Sequence, residues 1–170
     1  MEGAAHQFCT FTLAGHLFGI DVREVQEVVV PQALARVPLA PRTVRGLINL
    51  RGQIVIAIDL RACLSLPERS ADELPINLVV RSDHGAISFL IDEIGDVVEV
   101  DRRQFEATPD TVRSAVKRVL RGVCKLEGRL LLVLDKEQAL ASCTSADHSR
   151  GARPDAREPA VPLVAAGEPR

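Results

Sequence analysis

Apolar and polar residues alternate with a period of two along much of this chain, as they do in strands whose side chains point to opposite faces. Gln7–Leu13 carries Phe8, Cys9, Phe11 and Leu13 in this way. Ala14-Gly15-His16 then fits a turn, and Leu17–Ile20 returns. Val25–Val30 predicts a third strand, stopped by Pro31. Val44–Leu50 and Ile54–Leu60 predict two more around Arg51-Gly52-Gln53, where a glycine suits a hairpin turn or a bulge. Leu66–Glu73 is polar and broken by proline, the composition of a linker. Strand patterns resume at Ile76–Arg81, Ala86–Ile91 and Val97–Val100, the first two joined by Asp83-His84-Gly85. Val119–Leu126 and Leu130–Leu134 flank Glu127-Gly128-Arg129. Two groups of about five short strands predict an all-β protein of two small barrels. The expected limits are about 7–66 and about 75–134, with residues 1–6 as an N-terminal extension. Helix is expected only in short pieces near Leu60–Leu64 and over 135–141, the latter capped by Asp135, while the helical spacing near Asp110–Arg118 fits a short helix or a loop. From 142 to 170 the chain is rich in Pro, Ala and mixed charge, which predicts a disordered tail.

Three strands break the alternation. Val28-Val29-Val30, Ile54-Val55-Ile56-Ala57-Ile58 and Leu130-Leu131-Leu132-Val133-Leu134 are apolar at every position. Both faces of such strands need cover, yet a small barrel hides only its inner face. The outer face must meet the other barrel, a helix or another protein, and packing of barrel on barrel accounts for part of this surplus.

Composition narrows the function. The chain has 170 residues, no Trp, no Tyr and a formal net charge of −2, so it lacks both the basic footprint and the stacking aromatics of a nucleic-acid binder. No apolar run reaches membrane-span length, and the N-terminus lacks a secretory pattern; a cytoplasmic protein is expected. No phosphate loop, nucleophile elbow or dinucleotide fingerprint occurs, so neither enzyme activity nor a cofactor is expected. Cys9, Cys63, Cys124 and Cys143 are scattered, as are His6, His16, His84 and His148. The cysteines are read as small buried residues or free thiols, with zinc or a disulfide as lesser alternatives. Asp92, Glu93 and Asp96 around Gly95 are read as a solvated turn, and Arg113, Lys117, Arg118 and Arg121 as a solvated face. Arg51, at a turn tip beside Leu50 and Ile54, has the character of an interface hot spot as well as of an ordinary turn arginine.

Several segments in order resemble the CheW family of chemotaxis coupling proteins. They are Phe18-Gly19-Ile20-Asp21-Val22, Val25-Gln26-Glu27-Val28, Gly46-Leu47-Ile48-Asn49-Leu50-Arg51-Gly52 and Ile58-Asp59-Leu60-Arg61. Leu90-Ile91-Asp92-Glu93-Ile94 and Gly122–Leu126 through Leu134-Asp135 complete the match, from about Gln7 to Ala141. The resemblance implies two SH3-like barrels over a shared apolar interface. It also implies an adaptor bridging the cytoplasmic tip of a methyl-accepting chemoreceptor to the regulatory domain of a CheA-type histidine kinase, which has the same fold. Such a protein is recruited to membrane-bound receptor arrays without inserting into the membrane. The receptor-contact positions carried over are Val25, Glu27, Leu50, Arg51 and Gly52. Coupling in a related array controlling pili, gliding or a second messenger is the alternative; a two-component regulator with a receiver domain fits less well, because the tail is too short. One position departs from the family, which often has proline where this chain has Ile56.

Overall fold

A computed structural model describes residues 5–145. The strands are β1 (His6–Leu13), β2 (His16–Asp21), β3 (Val25–Val29), β4 (Val44–Leu50), β5 (Gln53–Asp59), β6 (Ile76–Ser82), β7 (Gly85–Ile91), β8 (Glu93–Val100), β9 (Phe105–Glu106), β10 (Leu120–Leu126) and β11 (Arg129–Leu134). The helices α1 (Leu60–Cys63), α2 (Ser114–Lys117) and α3 (Lys136–Thr144) are short. Each expected strand is present within a few residues. The two-residue β9 was not foreseen, because so short a strand leaves no period to read.

The strands form a six-stranded sheet in the order β8-β1-β2-β11-β10-β9 and a five-stranded sheet in the order β3-β6-β7-β5-β4. This corrects the expected division of the chain at a linker near residues 66–75. The first hairpin, β1–β2, belongs with the last strands: β2 lies parallel to β11, pairing Phe18 with Leu132 and Gly19 with Val133. Parallel neighbours of this kind are distant in sequence, so no local pattern announces them. Residues 66–75 only connect two strands of one sheet, β5 (by way of α1) and β6, which lie on either side of β7.

Both sheets follow one plan, an outer strand, an antiparallel hairpin, a parallel step and a second hairpin. The sequence carries the same repeat. Arg45-Gly46, Leu50, Gly52 and Asp59 recur 76 positions on as Arg121-Gly122, Leu126, Gly128 and Asp135. Gly46 and Gly122 have the same task. A Cβ on Gly46 would sit 2.6 Å from the Ala35 carbonyl oxygen, and one on Gly122 would sit 2.6 Å from that of Glu106. Without Cβ, the backbone of Ala35 crosses onto β4, giving and receiving bonds with Leu47 at 2.9 and 2.8 Å. Glu106 pairs with Val123 in the same way.

The unbroken apolar strands now have an explanation. Along β11, Leu131 and Val133 join a cluster made by the six-stranded sheet alone, with Phe8, Val100 and Cys124. Leu132 and Leu134 face the opposite way, into a core shared with Ile58, Leu78, Val80, Phe89 and Ile91 of the other sheet. Phe11 and Phe18, cross-strand partners, stack there with centroids 5.8 Å apart. Along β5, Val55 and Ala57 join Ile48 and Leu90 inside the five-stranded sheet.

The C-terminal helix runs beyond its expected end at 141. Ala139 and Cys143 are fully buried on it, and Cys143 is disulfide-bonded to Cys63 on α1, with Cα atoms 5.1 Å apart. This corrects the reading of all four cysteines as unbonded: residues 80 apart in sequence meet only because α1 and α3 pack together. Cys9 and Cys124 are free and buried. The N-terminal extension and the expected tail lie outside the described residues, except that Ala5–His6 leads into and opens β1 and residues 142–145 belong to the end of α3.

Candidate interaction surface

The Arg51 turn is built by its neighbours. Arg51 and Gly52 have φ values of 51° and 85°, the left-handed pair of a two-residue hairpin, and Leu50 pairs with Gln53 across it. The Gly52 amide donates to Asn49 Oδ1 at 2.9 Å, fixing the turn. The Arg51 side chain is 85% exposed and reaches Glu27, 23% exposed, at 3.0 Å. Glu27 is on β3, at the opposite end of the strand order from β4, so this ion pair bridges the two margins of the curled sheet. A bulge between Val25 and Glu27 sets the glutamate in that position. Thus Glu27, Leu50, Arg51 and Gly52 come together at one end of the barrel. Val25 is half-buried and packs against the shared core.

The remaining apolar surplus flanks that pair. Val30 is 71% and Ile54 62% exposed, with Val28 and Ile56 also open to solvent. Pairing register places Val28 beside Leu78 and Ile56 beside Ile87. These residues are therefore the uncovered margins of the sheet face whose centre forms the shared core. The repeat makes the point directly. Ile54 and Ile56 correspond to Leu130 and Leu132, of which Leu132 is 2% exposed under the other barrel. Ile56 lies in a strand paired on both sides, with Leu47 and Ile87; its N–H is available to a ladder, as proline's would not be.

Asp92 is not a solvated turn residue. Its carboxylate accepts from Arg61 Nε and Nη2 at 2.9 and 2.5 Å, Arg69 Nε at 2.9 Å and the Ala14 amide at 2.7 Å. Burial pushes its pKa up, but the Arg61, Ala14 and Arg69 hydrogen bonds together outweigh burial and hold the carboxyl below its usual value. Asp59 completes the network: it caps α1 through the Arg61 amide at 3.0 Å and accepts from Arg45 Nε at 3.0 Å. The Asp59-Leu60-Arg61 segment is therefore a clamp between the sheets, with Asp92 tying the β1–β2 turn to the end of β7. Arg113, Lys117 and Arg118 do form an exposed face. Arg121 instead reaches Glu24 at 3.3 Å and Asp135 at 3.7 Å, the latter repeating the Arg45–Asp59 pair.

Among the described residues no group of His, Cys, Asp and Glu is arranged to hold a metal ion, and no helix is long and apolar enough to cross a membrane. A cavity of about 400 Å³ at the mouth of the six-stranded barrel is lined by Phe8, Val100, Phe105 and Val133, with Arg23 and Arg102 at its edge.

Two barrels over one core, with apolar margins beside a projecting ion pair, define a protein-interaction module. The chain belongs to the CheW-like domain family, whose pattern matches residues 7–143. It is 32% identical over 146 residues to the chemotaxis protein CheW of Bacillus subtilis, covering 85% of this chain and 90% of that one. It is 30% identical over 141 residues to CheW of Klebsiella aerogenes, covering 83% and 85%. The crystal structure of the scaffolding protein TtCheW from Thermoanaerobacter tengcongensis superposes with a TM-score of 0.71 at 24% identity, over 77% of this chain and 89% of that one, and so supports the fold of two SH3-like barrels.

Proposed function

We propose that this protein is a non-enzymatic chemotaxis adaptor, cytoplasmic and recruited to receptor arrays, that couples a chemoreceptor tip to a CheA-type histidine kinase. The observation that carries this reading is the exposed apolar margin of a face that is otherwise the core of the molecule. Ile54 and Ile56 stand where, in the repeat, Leu130 is partly covered and Leu132 fully covered by a barrel. A regulatory domain of the same fold would cover them in the same manner. The Arg51–Glu27 pair at the barrel end, with Leu50 and Gly52 beside it and Val25 supporting β3 from the core, is the receptor-contact site. A guanidinium that keeps one face free can grip carboxylate or carbonyl groups of a helical tip.

The test is reconstitution with a kinase regulatory domain and a receptor-tip fragment. One complex holding all three is expected. Arg51→Asp should weaken receptor binding by about 2 kcal/mol, roughly thirty-fold, and spare the kinase. Ile54→Asp should do the reverse. Normal receptor binding by Arg51→Asp, with folding intact, would rule out the site assignment.

A further inference from the structure

We infer that Cys63 and Cys143 form a reversible redox site that fastens the end of α3 to α1, and that it exchanges with dithiols through Cys63. Three observations converge on this pair. The two sulfurs are unequal: Cys143 is fully buried in the shared core, whereas Cys63 is only partly buried at its margin, so an attacking thiolate meets Cys63 first. The other two thiols cannot compete. Cys9 and Cys124 are buried on strands; burial raises the Cys9 thiol and pushes the Cys124 thiol up to about 11, which disfavours the reactive thiolate at both.

The bond also sits at a mechanical junction. The Cys143 carbonyl accepts from Thr43 Oγ1 at 2.7 Å, and the Thr43 carbonyl accepts from the Asp59 amide at 2.8 Å. Asp59 caps α1 and holds Arg45 of β4. Oxidation therefore completes a ring of bonds from the last turn of α3 through Thr43 and Asp59 back to α1.

In the reducing direction a thiolate of the dithiol attacks Cys63 Sγ, and the Cys63–Cys143 bond breaks. Cys143 leaves as a thiolate and takes up a proton. The second thiolate of the dithiol then displaces Cys63, which is protonated in turn, and the reagent departs as a disulfide. Two electrons pass from reagent to protein. A low-molecular-weight disulfide such as oxidised glutathione drives the reverse. In the reduced form the last turn of α3 keeps its helix hydrogen bonds, its packing and the Thr43 contact but loses its covalent tie to α1, and it opens more often.

The experiment uses the full chain equilibrated with oxidised glutathione or with dithiothreitol, without denaturant. Denaturing alkylation and mass analysis should find two protected cysteines, 63 and 143, in the oxidised form and none in the reduced form. The reduced form should melt roughly 5–15 °C lower. Hydrogen exchange over Ala139–Ser145 should quicken at least tenfold, at exchange times too short for the core of β1, β6 and β7 to exchange in either form. Cys63→Ala, at the less buried position, should abolish the dependence on reductant. Four reactive thiols after oxidation, a bond that resists dithiothreitol in the folded protein, or equal α3 exchange in the two forms would each overturn the proposal.

Discussion

Asp92 shows how much one side chain can carry. It holds Arg61 and Arg69, both nearly buried, and anchors the turn at Ala14. Asp92→Asn leaves two guanidinium groups without their shared anion. The expected loss at neutral pH is about 3 kcal/mol or more, the scale of a broken buried pair. Chemical denaturation of both proteins measures it. The sign of the pH dependence follows from the lowered carboxyl pKa. Ionised Asp92 contributes in full above its unfolded pKa, near 4. That contribution is lost as pH falls through the lower folded value. The gap between wild type and Asp92→Asn should therefore stay constant from pH 7 to about 5, then close on further acidification. Arg51 behaves oppositely: its pair with Glu27 is exposed, so Arg51→Asp should change stability by no more than about 0.5 kcal/mol.

Among the elements, the β4–β5 hairpin matters most because it closes its barrel and presents Arg51. Gly46 permits the closure, at a φ of 154° with the Ala35 carbonyl packed where a side chain would begin. Gly46→Ala must push residue 35 away from β4 or distort the bulge there. A cost of about 2–3 kcal/mol is expected, with faster exchange of the Leu47 amide, which bonds Ala35. Gly122→Ala meets the Glu106 carbonyl at the same distance and should loosen β9 while leaving the Arg51 turn intact. The contrast between the two variants tests whether the repeat is mechanical as well as visible in sequence.

The molecule as a whole is knitted by the return of β1–β2 to β11. Residues 7–66 alone contain β1 and β2 without β11, and β4–β5 without β7. That fragment is expected to remain unfolded by circular dichroism. The intact chain should unfold in one transition, because the shared core draws on both sheets. Leu132→Ala, in that core, should cost about 3–5 kcal/mol and lower the stability of both barrels together. Two separate transitions, only one of them shifted, would contradict a single cooperative core. The disulfide adds to the same unity. Closing a loop of 80 residues stabilises by roughly 4–5 kcal/mol in the chain-entropy description.

The sequence by itself determined ten of the strands, the short helices at α1 and α3, and the turn that carries Arg51. Each of these is local, set by side-chain alternation, by glycines suited to positive φ, or by Asp59 and Asp135 ahead of a helix. It also held the 76-residue repeat, legible in Arg45-Gly46 and Arg121-Gly122, a signal that points to two copies of one barrel plan. The surplus of apolar residues in β3, β5 and β11 was equally legible, but not its division between inner core, shared core and open margin. Tertiary structure alone decided that division, because it depends on which barrel covers which strand: Leu132 is covered and Ile56 is not. It alone joined Asp92 to Arg61 and Arg69, Glu27 to Arg51, and Cys63 to Cys143. These pairs lie 23 to 80 residues apart, and only the curling of one sheet on itself or the packing of element on element brings such distant positions within bonding reach.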